Sequence, residues 1–110
     1  MQTIIQSRGF VLTQALQAYT HKRLSYAISF AGEYIQRVTV RLSDINGPRG
    51  GEDKRCQLIL KMQGMPSVVI VDIESDLYIA IDRAVERASR TLTRALKRKN
   101  RYQMPDIDYS

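Results

Sequence analysis

The segment 77–99 carries the strongest periodic pattern in this chain. Its apolar side chains recur every three or four positions, as one face of an α-helix requires. On a helical projection of about 100° per residue, arginines occupy the opposite side. We call this set the arginine row: Arg83, Arg87, Arg90, Arg94 and Arg98. Such a helix must lie at the surface of a domain, with its apolar face against a sheet or another helix.

The rest of the chain alternates between two periods. Apolar spacings of three and four from Leu16 to Ala31 predict a first helix, with Thr13 as its N-cap. Gly32 is predicted to end it, because glycine tolerates the left-handed cap conformation. The predicted strands are 3–6, 35–42, 55–63 and 68–73. The last of them is a continuous apolar run and is therefore expected to be well buried.

The resulting order, β-α-β-β-β-α, predicts an α+β fold. The simplest packing is a four-stranded, mostly antiparallel sheet with both helices on one face. Asp76 is the predicted N-cap of the second helix. Residues 1–101 are expected to form a single domain, and residues 102–110 a flexible C-terminal tail.

Composition excludes several classes of protein. A chain of 110 residues is one domain, and an apolar content of 44% is too high for a disordered one. No apolar run approaches the ~20 residues of a membrane span, and the first residues do not resemble a signal peptide. The single cysteine, Cys56, cannot form an internal disulfide. We therefore expect a cytoplasmic protein.

Positive charge is concentrated in the second predicted helix. The chain has a net charge of +6, and residues 77–101 contain eight basic and two acidic side chains. Arginine pairs with phosphate through two parallel hydrogen bonds, so the arginine row predicts a polyanionic partner rather than a merely solvated face. Lys97 borders the row, and Lys22 with Arg23 on the first helix could extend it. Arg37 and Arg41 on a predicted strand, and Arg49 in the loop 46–51, could supply secondary contacts. Arg55 and Lys61 are predicted to lie on the same exposed side of the sheet as Arg37 and Arg41.

Catalytic chemistry is not predicted. His21 is the only histidine and lacks companions with metal-ligand spacing, so no metal site is expected. Cys56 lies on the inward side of its strand, which indicates an inert core thiol. The glycine-rich loop 46–51 lacks the Gly-Lys-Ser/Thr ending of a phosphate-binding loop. We predict no catalytic residue and no cofactor.

Over residues 2–99 the chain resembles the ribosome hibernation factors, also called ribosome-associated inhibitor or ribosomal subunit interface proteins. The resemblance is carried by four segments in order: Thr13-Gln14-Ala15-Leu16, Arg23-Leu24, Asp76-Leu77-Tyr78-Ile79-Ala80-Ile81-Asp82 and Arg90-Thr91-Leu92-Thr93-Arg94. It implies a fold similar to double-stranded RNA-binding domains and a short family form. It also implies binding near the decoding channel of the small ribosomal subunit, with transfer RNA and messenger RNA blocked. The matching basic family positions are Arg23, Arg87, Arg90, Arg94 and Arg98. The family usually has further lysines late in the first helix, where this chain has Tyr26 and Ser29.

Our leading hypothesis is a non-enzymatic factor that binds ribosomal RNA of the small subunit and keeps idle ribosomes inactive. The predicted RNA-binding residues are Arg23, Arg83, Arg87, Arg90, Arg94, Lys97 and Arg98. Two alternatives stay open: a regulatory module that binds an acidic protein, and a general binder of structured RNA. Neither a membrane nor DNA is expected as a partner, and the sequence leaves the oligomeric state open.

Overall fold

A computed structural model describes residues 1–45 and 53–103, with side chains described as far as residue 100. Its elements in chain order are β1 (Gln2–Arg8), α1 (Gln14–Ile28), a 3₁₀ helix (Ser29–Tyr34), β2 (Ile35–Asp44), β3 (Lys54–Met62), β4 (Val68–Glu74) and α2 (Leu77–Gln103). The strands form one sheet in the order β1-β2-β3-β4. β1 and β2 are parallel, whereas the other two pairs are antiparallel. The predicted α+β fold is confirmed.

The core lies between the sheet and the two helices. Alternate residues of β2 and β3, among them Val40 and Leu58, are completely buried. They face the apolar side of α2, whose completely buried members include Ile81, Val85 and Leu92. The predicted apolar face of α2 is therefore correct. It packs on one face of the sheet, and the helices leave the other face uncovered.

Both predicted N-caps are present. The Thr13 hydroxyl accepts a hydrogen bond from the Leu16 amide at 3.1 Å, and an Asp76 carboxylate oxygen accepts one from the Tyr78 amide at 2.7 Å. Each cap satisfies an amide that has no partner within the first turn of its helix.

The predicted end of α1 is wrong in its mechanism. The α-helix stops at Ile28 and tightens into the 3₁₀ helix, which carries Ala31 into the core. Gly32 is not left-handed; among the described residues only Gly9 and Gly64 have a positive φ. The tighter 3₁₀ turn lets the chain enter β2 directly, since the Ile35 amide donates to the Gly32 carbonyl.

The apolar run of β4 predicted a well-buried strand, but one face of β4 is exposed. Val69 is 55% exposed and Ile73 is 42% exposed. β4 is an edge strand of a sheet that the helices cover on one face only, so alternate residues remain in water.

Two predictions concern residues that lie outside the described ranges. The loop 46–51 with Arg49 lies outside them, and so does the predicted tail from residue 104 onward. The helix α2 continues to Gln103, beyond its predicted end near Lys99 and beyond the expected domain boundary at 101.

Candidate nucleic-acid interface

α2 presents the arginine row along its exposed side. All five arginines of the row are exposed, as is Lys97. The helix is 27 residues long, or about 40 Å, and the row from Arg83 to Arg98 covers about 22 Å of it. The five arginines therefore share the exposed side of α2, as the helical projection predicts.

The N-terminal end of the row is tied to the neighbouring strand. The Arg83 Nε lies 3.4 Å from a carboxylate oxygen of Glu74. An Arg87 terminal nitrogen donates to the Val71 carbonyl at 2.6 Å and to the Asp72 carboxylate at 3.3 Å. Carboxylates on β4 thus neutralise part of the row. The two acidic residues of residues 77–101 are Asp82 and Glu86, so a local pattern does not reveal this neutralisation, which depends on the packing of β4 beside α2.

The C-terminal end of the row is free. Among residues 1–45 and 53–100, no carboxylate lies within ion-pair distance of Arg90, Arg94, Lys97 or Arg98. Arg90 and Arg98 are eight positions apart on the helix, or about 12 Å. This end can neutralise an external anion without first breaking an ion pair.

Arg23 is brought to α2 by a clamp between the helices. Its Nε donates to Asp82 at 2.8 Å, and the Tyr19 hydroxyl donates to the same carboxylate oxygen at 2.5 Å. The hydrogen bond to Asp82 raises the pKa of Tyr19, because the carboxylate holds the phenol proton. The Tyr19 ring also meets the Tyr78 ring edge to face, with centroids 4.8 Å apart. Arg23 is therefore oriented but partly neutralised, while the adjacent Lys22 is exposed.

The strand cations occupy a different surface. Strand register places Arg37 and Arg41 on the side of the sheet that the helices leave open, and it places Lys61 opposite Arg37. Arg55 lies on the same side. The predicted orientation of these four residues is correct, and the structure separates them from the arginine row by the full thickness of the sheet.

One cation that the sequence did not single out has a specific contact. The Lys99 Nζ lies over the Tyr34 ring, 5.9 Å from its centroid, a cation–π geometry. Lys99 projects inward, on the apolar side of α2 rather than with the row. Its contact holds the last turns of the helix against the end of the 3₁₀ segment.

The candidate catalytic groups have ordinary structural positions. Cys56 is buried, and burial raises the pKa of its thiol to about 12, which keeps it protonated and unreactive. His21 is exposed. No cluster of three or more His, Cys, Asp or Glu with metal-binding geometry occurs in the described part of the chain. Within the same ranges, no helix has the length and apolar character needed to cross a membrane.

The described residues form a small α+β domain with cationic side chains on α2 and on the open side of the sheet. The family model described as "Sigma 54 modulation protein / S30EA ribosomal protein" matches residues 3–100, and the chain belongs to that family. The family is one of ribosome-associated factors, so the predicted resemblance is confirmed and the ribosome is the partner class.

Solved structures share the fold. The N-terminal domain of Thermus thermophilus Protein Y is 24% identical, with a TM-score of 0.70, over 86% of this chain and 99% of that one. A ribosomal subunit interface protein from Coxiella burnetii is 15% identical, with a TM-score of 0.75, over 88% of this chain and 99% of that one. No curated protein sequence matches the chain.

Proposed function

We propose that this protein binds ribosomal RNA of the small subunit through the arginine row and Arg23, and blocks translation in idle ribosomes of the cytoplasm. The observation that carries the proposal is the free C-terminal end of the row. Four exposed cations, Arg90, Arg94, Lys97 and Arg98, stand there without a carboxylate partner among the described residues. The family supplies the ribosomal context.

The two ends of the row have different roles in this proposal. Arg83 and Arg87 are already paired with β4, so a phosphate must compete with Glu74 and Asp72 for them. The free end pays no such cost and supplies most of the affinity. Each phosphate that it neutralises releases counterions, which makes binding strongly dependent on salt.

Recognition rests on shape and charge rather than on base identity. The row offers guanidinium groups, which match the phosphate backbone in two-point hydrogen bonds. Such contacts fix the register of a domain on folded RNA, as in shape-directed recognition of double-stranded RNA. The folded domain then occludes other ligands by its volume.

The test is sedimentation of purified ribosomes with the protein, at low and high salt. Wild type should move with the small subunit at low salt only. The variant Arg90→Gln/Arg94→Gln/Arg98→Gln should lose at least about tenfold in affinity, and the slope of log affinity against log salt should fall by about two to three. It should also lose inhibition in a translation assay.

The matched control is Arg90→Lys/Arg94→Lys/Arg98→Lys, which keeps the charge and the helix. It should retain the salt slope and lose only part of the affinity, because an ammonium cannot form the two-point contact. Wild-type affinity in a folded glutamine variant would contradict the proposal. Equal binding to any structured RNA, or displacement by an acidic protein, would favour one of the alternatives.

A further inference from the structure

The face of the sheet opposite the helices carries a second cationic surface, which we call the open face. Strand register assigns alternate residues of all four strands to it. Its basic members come from three strands. They are Arg8, Arg37, Arg41, Arg55 and Lys61.

Register gathers three of these cations at one end of the open face. Arg8 on β1 and Arg55 on β3 both pair with Ser43, which lies between them on β2. With strands about 4.8 Å apart, their Cα atoms are about 10 Å apart. Arg41 lies two residues along β2, about 7 Å from Ser43. Three arginines from three strands therefore flank Ser43 on the open face.

These arginines line an open concavity of about 550 Å³. Gln6 and Gln57, which pair with Arg41 on either side, also line it. The Gln6 side-chain oxygen accepts a weak hydrogen bond from Arg41 Nε at 3.4 Å. The lining is thus rich in hydrogen-bond donors.

No acidic side chain of the four described strands lies on the open face. Within residues 1–45 and 53–100, none of its five cations lies within ion-pair distance of a carboxylate. Asp44 borders the neighbouring hollow with Arg8 and Arg55, but its carboxylate accepts from Lys54 Nζ at 3.3 Å. Lys54 also holds Asp53, at 2.6 Å. Asp44 and Asp53 are thus engaged by a lysine, and the three arginines form no ion pair among the described residues.

We propose that the concavity lined by Arg8, Arg41 and Arg55 binds a second stretch of RNA phosphate backbone, so that the domain lies between two RNA segments. This inference rests on the proposed function, since it takes RNA as the partner of the arginine row. The helix layer and the sheet separate the two surfaces by at least a helix diameter, about 10 Å. A single short RNA helix docked on α2 cannot also reach the open face.

Phosphate suits the concavity better than an acidic protein does. Protein interfaces have an apolar centre with a polar rim. Here the three arginines lie around Ser43 together with Gln6 and Gln57, whereas the exposed Ile45 and Ile73 line the neighbouring hollow and not this concavity. Three arginines around a serine match an anion with several acceptor oxygens.

The test uses full-length protein and an RNA duplex of 10 base pairs, too short to wrap the domain. Calorimetric titration at low salt should give two duplexes per wild-type chain. Arg41→Gln/Arg55→Gln should bind one, with the weaker step lost by at least about tenfold. The helix variant Arg90→Gln/Arg94→Gln/Arg98→Gln should also bind one, by losing the other step.

The control Arg37→Gln/Lys61→Gln removes the same charge from the same face outside the concavity. It should keep both binding steps. Equal losses of RNA affinity in Arg41→Gln/Arg55→Gln and Arg37→Gln/Lys61→Gln would show that binding depends only on net charge. That result would overturn the proposed site. Folding is checked by the thermal transition, and Arg41→Lys/Arg55→Lys serves as a second variant that keeps the charge; it should retain the second step with weaker affinity.

Failure of this inference differs from failure of the proposed function. One duplex per wild-type chain, lost only in the helix variant, would overturn the second site and leave the arginine row intact. Unchanged binding in the helix variant would overturn the proposed function instead. If polyglutamate displaced RNA from the concavity at equal charge concentration, the partner of the concavity would be an acidic protein. That result would overturn the assignment of the concavity to RNA.

Discussion

The two ends of α2 use the same residue type at the same spacing for different purposes. Towards the N-terminus, Arg83 and Arg87 contact carboxylates of β4, and the opposite side of the helix is completely buried as far as Leu92. Towards the C-terminus, Arg94 and Arg98 have no carboxylate partner among the described residues, and Leu96 is only half-buried. The first end holds the helix on the sheet, and the second end presents charge.

This difference shows that a row of like residues is not a single functional unit. An arginine beside a strand with acidic residues becomes a structural contact, whereas the same arginine two turns later remains free. Four comparisons between variants test the division.

The contribution of α2 side chains to the stability of the core should decrease from Leu92 to Leu96. Leu92→Ala should lower the free energy of unfolding by about 3 kcal/mol, because it leaves a cavity under a fully buried side chain. Leu96→Ala should cost about 1 kcal/mol, since part of that side chain is already in water. Urea denaturation measures both. Equal losses would show that the helix is anchored evenly and would remove the basis of the comparison.

The clamp at Asp82 should contribute to stability, whereas the carboxylate one turn later should not. Asp82→Ala removes the acceptor shared by Tyr19 and Arg23 and should cost about 1–2 kcal/mol at this partly exposed site. The control Glu86→Ala removes an exposed carboxylate and should stay within about 0.5 kcal/mol. Denaturant midpoints compare the two. A larger loss from Glu86→Ala would place the clamp elsewhere.

Arg87 and Arg94 should separate stability from binding. Arg87→Gln loses bonds to Val71 and Asp72 and should cost about 1 kcal/mol of unfolding free energy. Arg94→Gln should leave stability within about 0.5 kcal/mol and weaken RNA binding more than Arg87→Gln does. Thermal unfolding and a salt titration of RNA affinity measure the pair. The reverse order in either assay would contradict the division of the row.

The smallest expected effect is a pH dependence of the clamp. The folded-state pKa of Tyr19 is raised from 10.0 by its bond to Asp82, so the folded protein holds that proton more tightly than the unfolded chain. This stabilisation is complete below pH 10.0 and is lost as pH rises through the folded pKa. Tyr19→Phe should be less stable at neutral pH and should lose less stability above pH 10.

Cys56 titrates in an overlapping alkaline range and is the same in both proteins. The contribution of Cys56 therefore cancels in the difference between the pH profiles of wild type and Tyr19→Phe. Parallel profiles of unfolding free energy against pH would show that the phenol proton does not contribute to the clamp.

Much of the fold could be predicted from local patterns. The change between helical and strand periods located the four strands and the two α-helices but not the 3₁₀ helix, and both N-caps were identified from Thr13 and Asp76. The errors came where tertiary context decides. The apolar run 68–73 predicted a well-buried strand, but only packing shows that β4 is an edge strand with one exposed face.

The candidate site divides in the same way. The arginine row follows from helical geometry, which depends only on residue spacing. Its partial neutralisation by Asp72 and Glu74 does not follow from residue spacing. Those carboxylates belong to β4, and tertiary packing places β4 beside α2. Arg8 had no local signal at all, and only strand register brings it near Arg41 and Arg55.

By itself, the sequence determined the order of the elements, the two faces of α2 and the excess of positive charge, since each depends on backbone periodicity and composition. Tertiary structure decided which of those charges are free. It did so because an ion pair forms between residues that packing brings together, and packing joins positions far apart in the chain. For this protein, that decision leaves one end of the arginine row and one face of the sheet open to a partner.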